Sequence, residues 1–162
     1  MTAPEKRPLQ LTLNGKAHQA FVEPRTSLLT FLREQCMLTG TKRGCEEGEC
    51  GSCSVLLNGR PVNACLILAV EAEGQQVTTI EGLGTPAHLA PLQQAFLETA
   101  ASQCGYCIPG MLLVAHTLLE HEAHPDEAAI RRAISGNLCR CTGYDRIVRG
   151  IQLAAEMKSG HP

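Results

Sequence analysis

The sequence contains no tryptophan, and aromatic residues make up only 3% of its 162 residues. Large aromatic side chains therefore contribute little to whatever core the chain forms. A chain of this length still buries roughly two-thirds of the surface that it exposes when unfolded. We therefore predict a core of alanine, leucine, valine and isoleucine side chains that needs no disulfide bond for stability.

Several other features are missing. No block of like charge occurs, and the formal net charge is −2 at pH 7, so nothing favours nucleic acid as a partner. No segment approaches the ~20 apolar residues of a membrane span, and MTAPEKRPLQ at the start lacks the apolar stretch of a secretion signal. The prediction is a soluble, cytoplasmic protein without direct membrane insertion. No Ser-His-Asp order, phosphate loop or paired carboxylates can be recognised, so no catalytic residue is predicted.

The first half has the pattern of a small sheet crossed by a helix. Alternating leucines precede the dipeptide Asn14-Gly15, and a second apolar segment turns at Asn58-Gly59, which are both strong hairpin signals. TSLLTFLREQ predicts a short helix capped by Thr26 or Ser27. QQVTTIEGL predicts one more strand.

The second half has four segments with apolar residues at helical spacing. The third of these segments is expected to have Pro125 in its first turn and to end at Gly136. Four short helices with short connections predict an antiparallel bundle. The fold class is therefore α+β, with a sheet domain at residues 1–82 followed by an all-α four-helix bundle at residues 83–162.

Nine cysteines in a cytoplasmic chain are more often metal ligands or reactive thiols than disulfides. In the first half, Cys45, Cys50 and Cys53 form a C-x4-C-x2-C run, and Cys65 is expected on the strand after the second hairpin. This spacing is typical of plant-type two-iron two-sulfur (2Fe-2S) clusters. The four residues therefore predict one cluster.

Three glycines are interleaved with this run: Gly44, Gly48 and Gly51. A cluster is anionic and its sulfides accept hydrogen bonds, so the loop around it must turn backbone N–H groups inwards. Glycine allows such a close approach and positive φ angles. A four-cysteine zinc site is the alternative, although zinc is usually bound by two C-x2-4-C pairs.

The second half holds two further cysteine pairs. Cys104 and Cys107 lie between the first two predicted helices, and Cys139 and Cys141 lie between the last two. An up-and-down bundle brings alternate connections to the same end, so the four thiols are expected to form one site. From spacing alone, zinc and an iron–sulfur cluster remain equal candidates there.

The segments GCEEGECGSC, QCGYCIPGM and GNLCRCTGY, with Cys65 between them, resemble the small iron–sulfur subunit of the molybdenum hydroxylases. That family includes xanthine dehydrogenase, aldehyde oxidoreductases and aerobic carbon monoxide dehydrogenase. The resemblance extends over residues 9 to 156. It implies a β-grasp ferredoxin domain followed by a four-helix-bundle domain, each with one 2Fe-2S cluster, and so favours iron over zinc in the second half.

The resemblance also implies partners. In the family, a large subunit holds molybdenum on a pterin (molybdopterin), and a medium subunit binds FAD. The chain would pass electrons singly, first to the bundle cluster and then to the ferredoxin cluster, and would catalyse nothing alone. The glutamine matching Gln103 contacts the pterin in the family.

Two alternatives remain open, and a few residues have secondary interpretations. The chain could be a freestanding two-cluster ferredoxin, which its near-neutral charge disfavours, or a zinc-stabilised interaction module. Lys42, Arg43 and Arg140 could offset cluster charge or be ordinary surface residues. Cys36, the ninth cysteine, is interpreted as a buried apolar residue.

Overall fold

In the computed structural model, which describes residues 5–160, the first half is built on one five-stranded mixed sheet. The spatial order of the strands is β2-β1-β5-β3-β4, in which β1 and β5 are parallel and the other neighbours are antiparallel. The strands are β1 (Arg7–Leu13), β2 (Lys16–Val22), β3 (Ser54–Leu57), β4 (Arg60–Asn63) and β5 (Gln76–Thr78).

Both predicted hairpins are confirmed. Asn14 and Gly15 connect β1 to β2 with φ angles of 49° and 77°, and Asn58 and Gly59 connect β3 to β4 with 51° and 77°. Two successive positive φ angles characterise the turn that suits the twist of a hairpin. The last predicted strand is shorter than expected, because β5 ends at Thr78 and a 3-10 turn follows it.

The predicted helix of the first half is confirmed but irregular. It starts as α1 (Leu28–Thr30) and continues as a π-helical turn (Phe31–Gln35). Ser27 is the N-cap, since its side-chain oxygen accepts a hydrogen bond from the backbone N–H of Thr30. The apolar residues of this helix are fully buried against the sheet: Leu28, Leu29, Phe31 and Leu32.

Four helices form the second half, as predicted. Asp126, and not Pro125, begins the third of them, because its carboxylate accepts a hydrogen bond from the N–H of Ala129 at 2.6 Å. Pro125 precedes this cap, so its predicted place in the first turn is wrong. A 3-10 turn ending at Gly136 follows that helix. The helices are α2 (Pro91–Glu98), α3 (Ile108–His121), α4 (Glu127–Ala133) and α5 (Asp145–Lys158).

Each half has its own hydrophobic core, and both cores are mainly aliphatic, as the composition predicts. The largest fully buried side chains are leucines, isoleucines, a valine, Met111 and a single aromatic ring, Phe31. In the second half α2 packs most extensively on α5. Within residues 5–160, no helix has both the length and the apolar character needed to cross a membrane.

The two halves are in direct contact. Helix α3 packs against β3 and β4. This contact is close where α3 begins: a Cβ atom on Gly110 would lie 2.5 Å from the carbonyl oxygen of Gly51. The loop that carries the first three cysteines therefore rests on the start of α3.

Candidate metal centres

The first cysteine set lies around the long loop that connects α1 to β3. Cys45, Cys50 and Cys53 are in this loop, and Cys53 is its last residue before β3. Cys65 lies in a turn after β4, which ends at Asn63. Its predicted place on a strand is therefore wrong. The turn nevertheless brings Cys65 next to Cys53, because β3 and β4 form a hairpin.

The four thiols of this set form two pairs. Cys50 Sγ lies 3.4 Å from the Cys45 backbone nitrogen, and Cys65 lies near enough to Cys53 to affect the pKa of Cys53. The first pair lies near the surface, whereas Cys53 is buried in the core of the sheet domain. The set therefore has an outer pair and an inner pair of sulfur atoms.

Backbone N–H groups point at the outer pair. The N–H of Glu47 lies 3.4 Å from Cys45 Sγ, and the N–H of Cys45 lies 3.4 Å from Cys50 Sγ. Such hydrogen bonds, that from Glu47 foremost, lower the pKa of Cys45 to about 7. Burial instead raises the pKa of Cys53 to about 12.

Two of the three glycines interleaved with the cysteine run adopt positive φ angles, as predicted: Gly48 at 84° and Gly51 at 66°. Gly44 does not, and that part of the prediction is wrong. It serves the close approach instead, because a Cβ atom there would lie 2.6 Å from Cys50 Sγ. Glu46, which lies between Cys45 and Gly48, also has a positive φ, at 61°.

The second cysteine set joins two turns of the helical half. Cys104 lies in the connection after α2, and Cys107 is the N-cap of α3. Cys139 and Cys141 lie in the connection between α4 and α5. The structure brings the two turns together, as expected for alternate connections of a bundle.

This set also divides into two thiol pairs. Cys104 and Cys141 lie near enough for each thiol to affect the other's pKa, and both are exposed. Cys107 and Cys139 also lie near enough for each thiol to affect the other's pKa, and Cys107 is buried. A hydrogen bond from the N–H of Tyr106 is the main reason that the pKa of Cys104 is lowered, whereas burial raises the pKa of Cys107 to about 12.

Two residues that the sequence did not single out hold Cys139 in place. Its backbone N–H donates to the hydroxyl oxygen of Tyr144 at 2.8 Å, and its Sγ lies 3.0 Å from Thr142 Oγ1. Burial opposes ionisation of Cys139, but the hydrogen bonds from Thr142 and nearby N–H groups outweigh it and lower the pKa. Both residues belong to the CTGY segment. Their closeness in sequence to Cys141 was the only feature of the sequence that could have identified them as contacts of the cysteines.

The basic residues near the cysteines have different roles. Arg43 forms ion pairs with Glu34 of the π-helical turn at 2.8 Å and with Glu46 at 3.5 Å, so its charge is already offset. Lys42 donates to the backbone oxygen of Thr39. Arg140 is exposed and makes no ion pair within residues 5–160. Of the three, only Arg43 has its charge offset by ion pairs among the described residues.

Cys36 lies apart from both sets. It is half-buried, and its Sγ is 3.6 Å from His18 Nε2. Burial raises its pKa to about 11, so it stays a neutral thiol at physiological pH. Cys36 packs against the core of the first half but is only partly buried, and not fully buried as expected.

The donor sets fit 2Fe-2S clusters. Each set presents four sulfur atoms in two adjacent pairs, and each iron of such a cluster takes two ligands from the protein. Within the described part of the chain, no three His, Cys, Asp or Glu side chains converge as the ligands of one metal ion would. N–H groups directed at Sγ atoms are the usual protein contribution to a cluster's environment.

Together, the fold and the two cysteine sets define a two-cluster iron–sulfur protein. Residues 11–81 match the family described as "2Fe-2S iron-sulfur cluster binding domain", and residues 79–152 match the "2Fe-2S binding domain" family. These matches agree with the α+β prediction of a ferredoxin domain followed by a helical cluster-binding domain. They also favour iron over zinc at the second set.

Similar proteins come from several bacteria. The nicotinate dehydrogenase small FeS subunit of Eubacterium barkeri is 47% identical over 91% of this chain and 94% of its own length. Quinoline 2-oxidoreductase from Pseudomonas putida 86 superimposes with a TM-score of 0.91 at 43% identity, covering 98% of this chain and 99% of the matched chain. The aldehyde oxidoreductase from Desulfovibrio desulfuricans gives a TM-score of 0.93 at 40% identity, covering 95% of this chain but 17% of that longer chain.

These likenesses extend over nearly the whole chain and include both cysteine sets. The chain belongs to the 2Fe-2S small subunits of the molybdenum hydroxylase family. It is therefore an iron–sulfur electron-transfer subunit of an oxidoreductase complex. The resemblance stated from the motifs is confirmed.

Proposed function

We propose that eight cysteines bind two 2Fe-2S clusters, one in each of two domains divided between residues 82 and 83. The observation that carries this assignment is the sorting of the thiols into two separate sets, each made of two neighbouring pairs whose thiols affect one another's pKa. The ligands of the first cluster are Cys45, Cys50, Cys53 and Cys65, and those of the second are Cys104, Cys107, Cys139 and Cys141.

We further propose the direction of electron flow. Electrons enter at the second cluster from a molybdopterin site on a large partner subunit and leave from the first cluster towards FAD on a medium subunit. A 2Fe-2S cluster accepts and releases one electron at a time, so two clusters in series divide a two-electron oxidation into single transfers. The chain's own residues supply the thiolates, direct N–H groups at sulfur and limit water at the inner thiols.

The exposure of the second site supports its place next to the large subunit. Cys104 and Cys141 reach the surface, and the side chains of Leu138 and Tyr106 beside them are 55% and 46% exposed. Apolar side chains around an open site are typical of a surface that a partner covers. Gln103 is also exposed, next to Cys104, where it can reach a pterin held by that partner.

A second apolar rim supports the exit at the first site. Leu66 and Leu68, which follow Cys65, are 61% and 40% exposed. Leu66 packs over Gly48 in the cysteine loop, since a Cβ atom on that glycine would lie 2.5 Å from the Leu66 side chain. A flavin-binding partner seated on this rim would shield the outer thiols from water.

Two experiments test the proposal. Visible absorption with iron and acid-labile sulfide analysis of the purified chain should indicate two 2Fe-2S clusters, whereas a zinc-stabilised interaction module would be colourless and free of sulfide. Native mass spectrometry of the protein purified from its own cells should detect a large partner. A stable brown monomer without partners would instead indicate a freestanding ferredoxin.

A further inference from the structure

The two cysteine loops are tied to each other by hydrogen bonds between distant parts of the chain. The N–H of Leu138 donates to the carbonyl oxygen of Cys50 at 2.9 Å. The hydroxyl of Tyr106, which lies between Cys104 and Cys107, donates to the carbonyl oxygen of Arg43 in the first loop. These two hydrogen bonds therefore connect the loop of the first proposed cluster site directly to the turns of the second.

Asn137 lies at the centre of this junction. Its Nδ2 donates to the carbonyl oxygen of Gly51 at 2.8 Å and lies 3.3 Å from Ser54 Oγ. The residue is only 3% exposed. The Ser54 hydroxyl also donates to the Gly51 carbonyl at 2.7 Å. The Asn137 carboxamide, the Ser54 hydroxyl and the Gly51 carbonyl therefore form one hydrogen-bonded group that is buried between the two halves.

Small residues make room for this carboxamide. A Cβ atom on Gly51 would lie 2.8 Å from Asn137 Nδ2, and a Cβ atom on Gly110 would lie at the same 2.8 Å from it. The side chain therefore fits between the first cysteine loop and the start of α3 with no space to spare. A buried donor held this tightly fixes the position of the groups that it bonds.

We propose that Asn137 is a positioning residue that sets the separation and orientation of the two clusters. It does so by holding the first loop so that the N–H of Leu138 meets the carbonyl of Cys50. A short path then runs from Cys50 through this hydrogen bond to Leu138 and on to Cys139. It connects a proposed ligand of one cluster to a proposed ligand of the other. This inference rests on the cluster assignment proposed above.

The connection matters because electron transfer slows steeply with distance, and more steeply across a gap than along bonds. A single hydrogen bond between two covalent segments is a short route. The hydrogen bonds of the Asn137 side chain go to Gly51 and Ser54 and not to a cysteine, so its loss would leave the thiol ligands in place. It would change the relation between the clusters and not the clusters themselves.

The test compares Asn137→Ala and Asn137→Asp with Asn63→Ala in the cluster-loaded chain. Asn63 is the matched control, because its Nδ2 also donates to a carbonyl of the first cysteine loop, that of Gly48 at 2.9 Å, but stays within the sheet domain. Electron paramagnetic resonance (EPR) of the fully reduced protein reports both the signal of each cluster and the magnetic splitting between them.

Both Asn137 variants should keep two cluster signals while the splitting between them narrows or disappears. Asn63→Ala should alter at most the signal of the first cluster and leave the splitting at its wild-type value. Hydrogen exchange at the Leu138 amide should accelerate in the Asn137 variants only.

Wild-type splitting in both Asn137 variants would overturn the positioning role, and so would an equal loss of splitting in Asn63→Ala. If neither Asn137 variant folds, Tyr106→Phe decides, since it removes one hydroxyl of the same junction at a half-exposed position. A reduced splitting in that variant supports the inference, and wild-type splitting rejects it. Failure of the cluster assignment would be recognised separately, because the wild-type protein would then lack two signals.

Discussion

Gly51→Ala is the substitution for which the structure gives the sharpest stability prediction. Gly51 has a φ of 66°, and a Cβ atom there would lie 2.3 Å from the carbonyl oxygen of Gly136 and 2.9 Å from Asn137 Cα. Both contacts are with backbone atoms, so no side chain can rotate away to relieve them. The backbone of one loop must shift, and this shift separates the two cysteine loops.

The size of the effect follows from three contributions. A left-handed backbone costs an alanine roughly 1–2 kcal/mol, and overpacking of a tight contact costs about 1–3 kcal/mol. Alanine also lowers the conformational entropy of the unfolded protein, which stabilises the folded state by about 0.4–1 kcal/mol. We therefore expect Gly51→Ala to lower the free energy of unfolding by about 1–4.5 kcal/mol.

Gly59→Ala is the matched control, because Gly59 has a similar φ of 77° but no atom lies within 4 Å of the point that its Cβ atom would occupy. It should cost only about 1 kcal/mol, since the steric contribution is absent. The assay is the urea midpoint of the cluster-loaded protein followed by far-ultraviolet circular dichroism. If Gly51→Ala were no more destabilising than Gly59→Ala, the close contact between the two loops would be refuted.

Three further outcomes are expected. Cys139→Ser should abolish one of two EPR signals of the reduced protein and keep the other, since only the second thiol set loses a donor; two unchanged signals would contradict the ligand assignment. Cys36→Ser should keep both signals, because Cys36 lies outside both sets; loss of a signal would give this residue a role in a cluster. Asp126→Ala removes the cap of α4 and should lower stability by about 1 kcal/mol, or roughly 2–4 °C in thermal midpoint; an unchanged midpoint would indicate that the cap is replaced.

Local signals in the sequence were sufficient for most of the elements and for the expectation that the cysteines lie in two groups. Asn-Gly dipeptides predicted both hairpins, because asparagine and glycine adopt the positive φ angles of a tight hairpin turn more readily than other residues do. The cysteine spacing and the bundle connectivity predicted which thiols meet. Errors arose where tertiary contacts decide the backbone: Gly44 was expected at a positive φ but is required for its closeness to Cys50 Sγ.

The junction between the two sites had no such local signal. Asn137 and Gly51 are 86 residues apart in the chain, and no sequence pattern around either residue predicts that the two are in contact. Their contact exists only because α3 packs on β3 and β4, which places the connection before α5 against the first cysteine loop. Gly51 thus meets two demands at once, a positive φ within its own loop and the absence of a Cβ atom facing Gly136. The positive φ of Gly51 can be predicted from the neighbouring residues of its own loop. The need for a residue without a Cβ atom comes from Gly136, which lies in the other half of the molecule. The contact between the two cluster sites is therefore visible only in the structure.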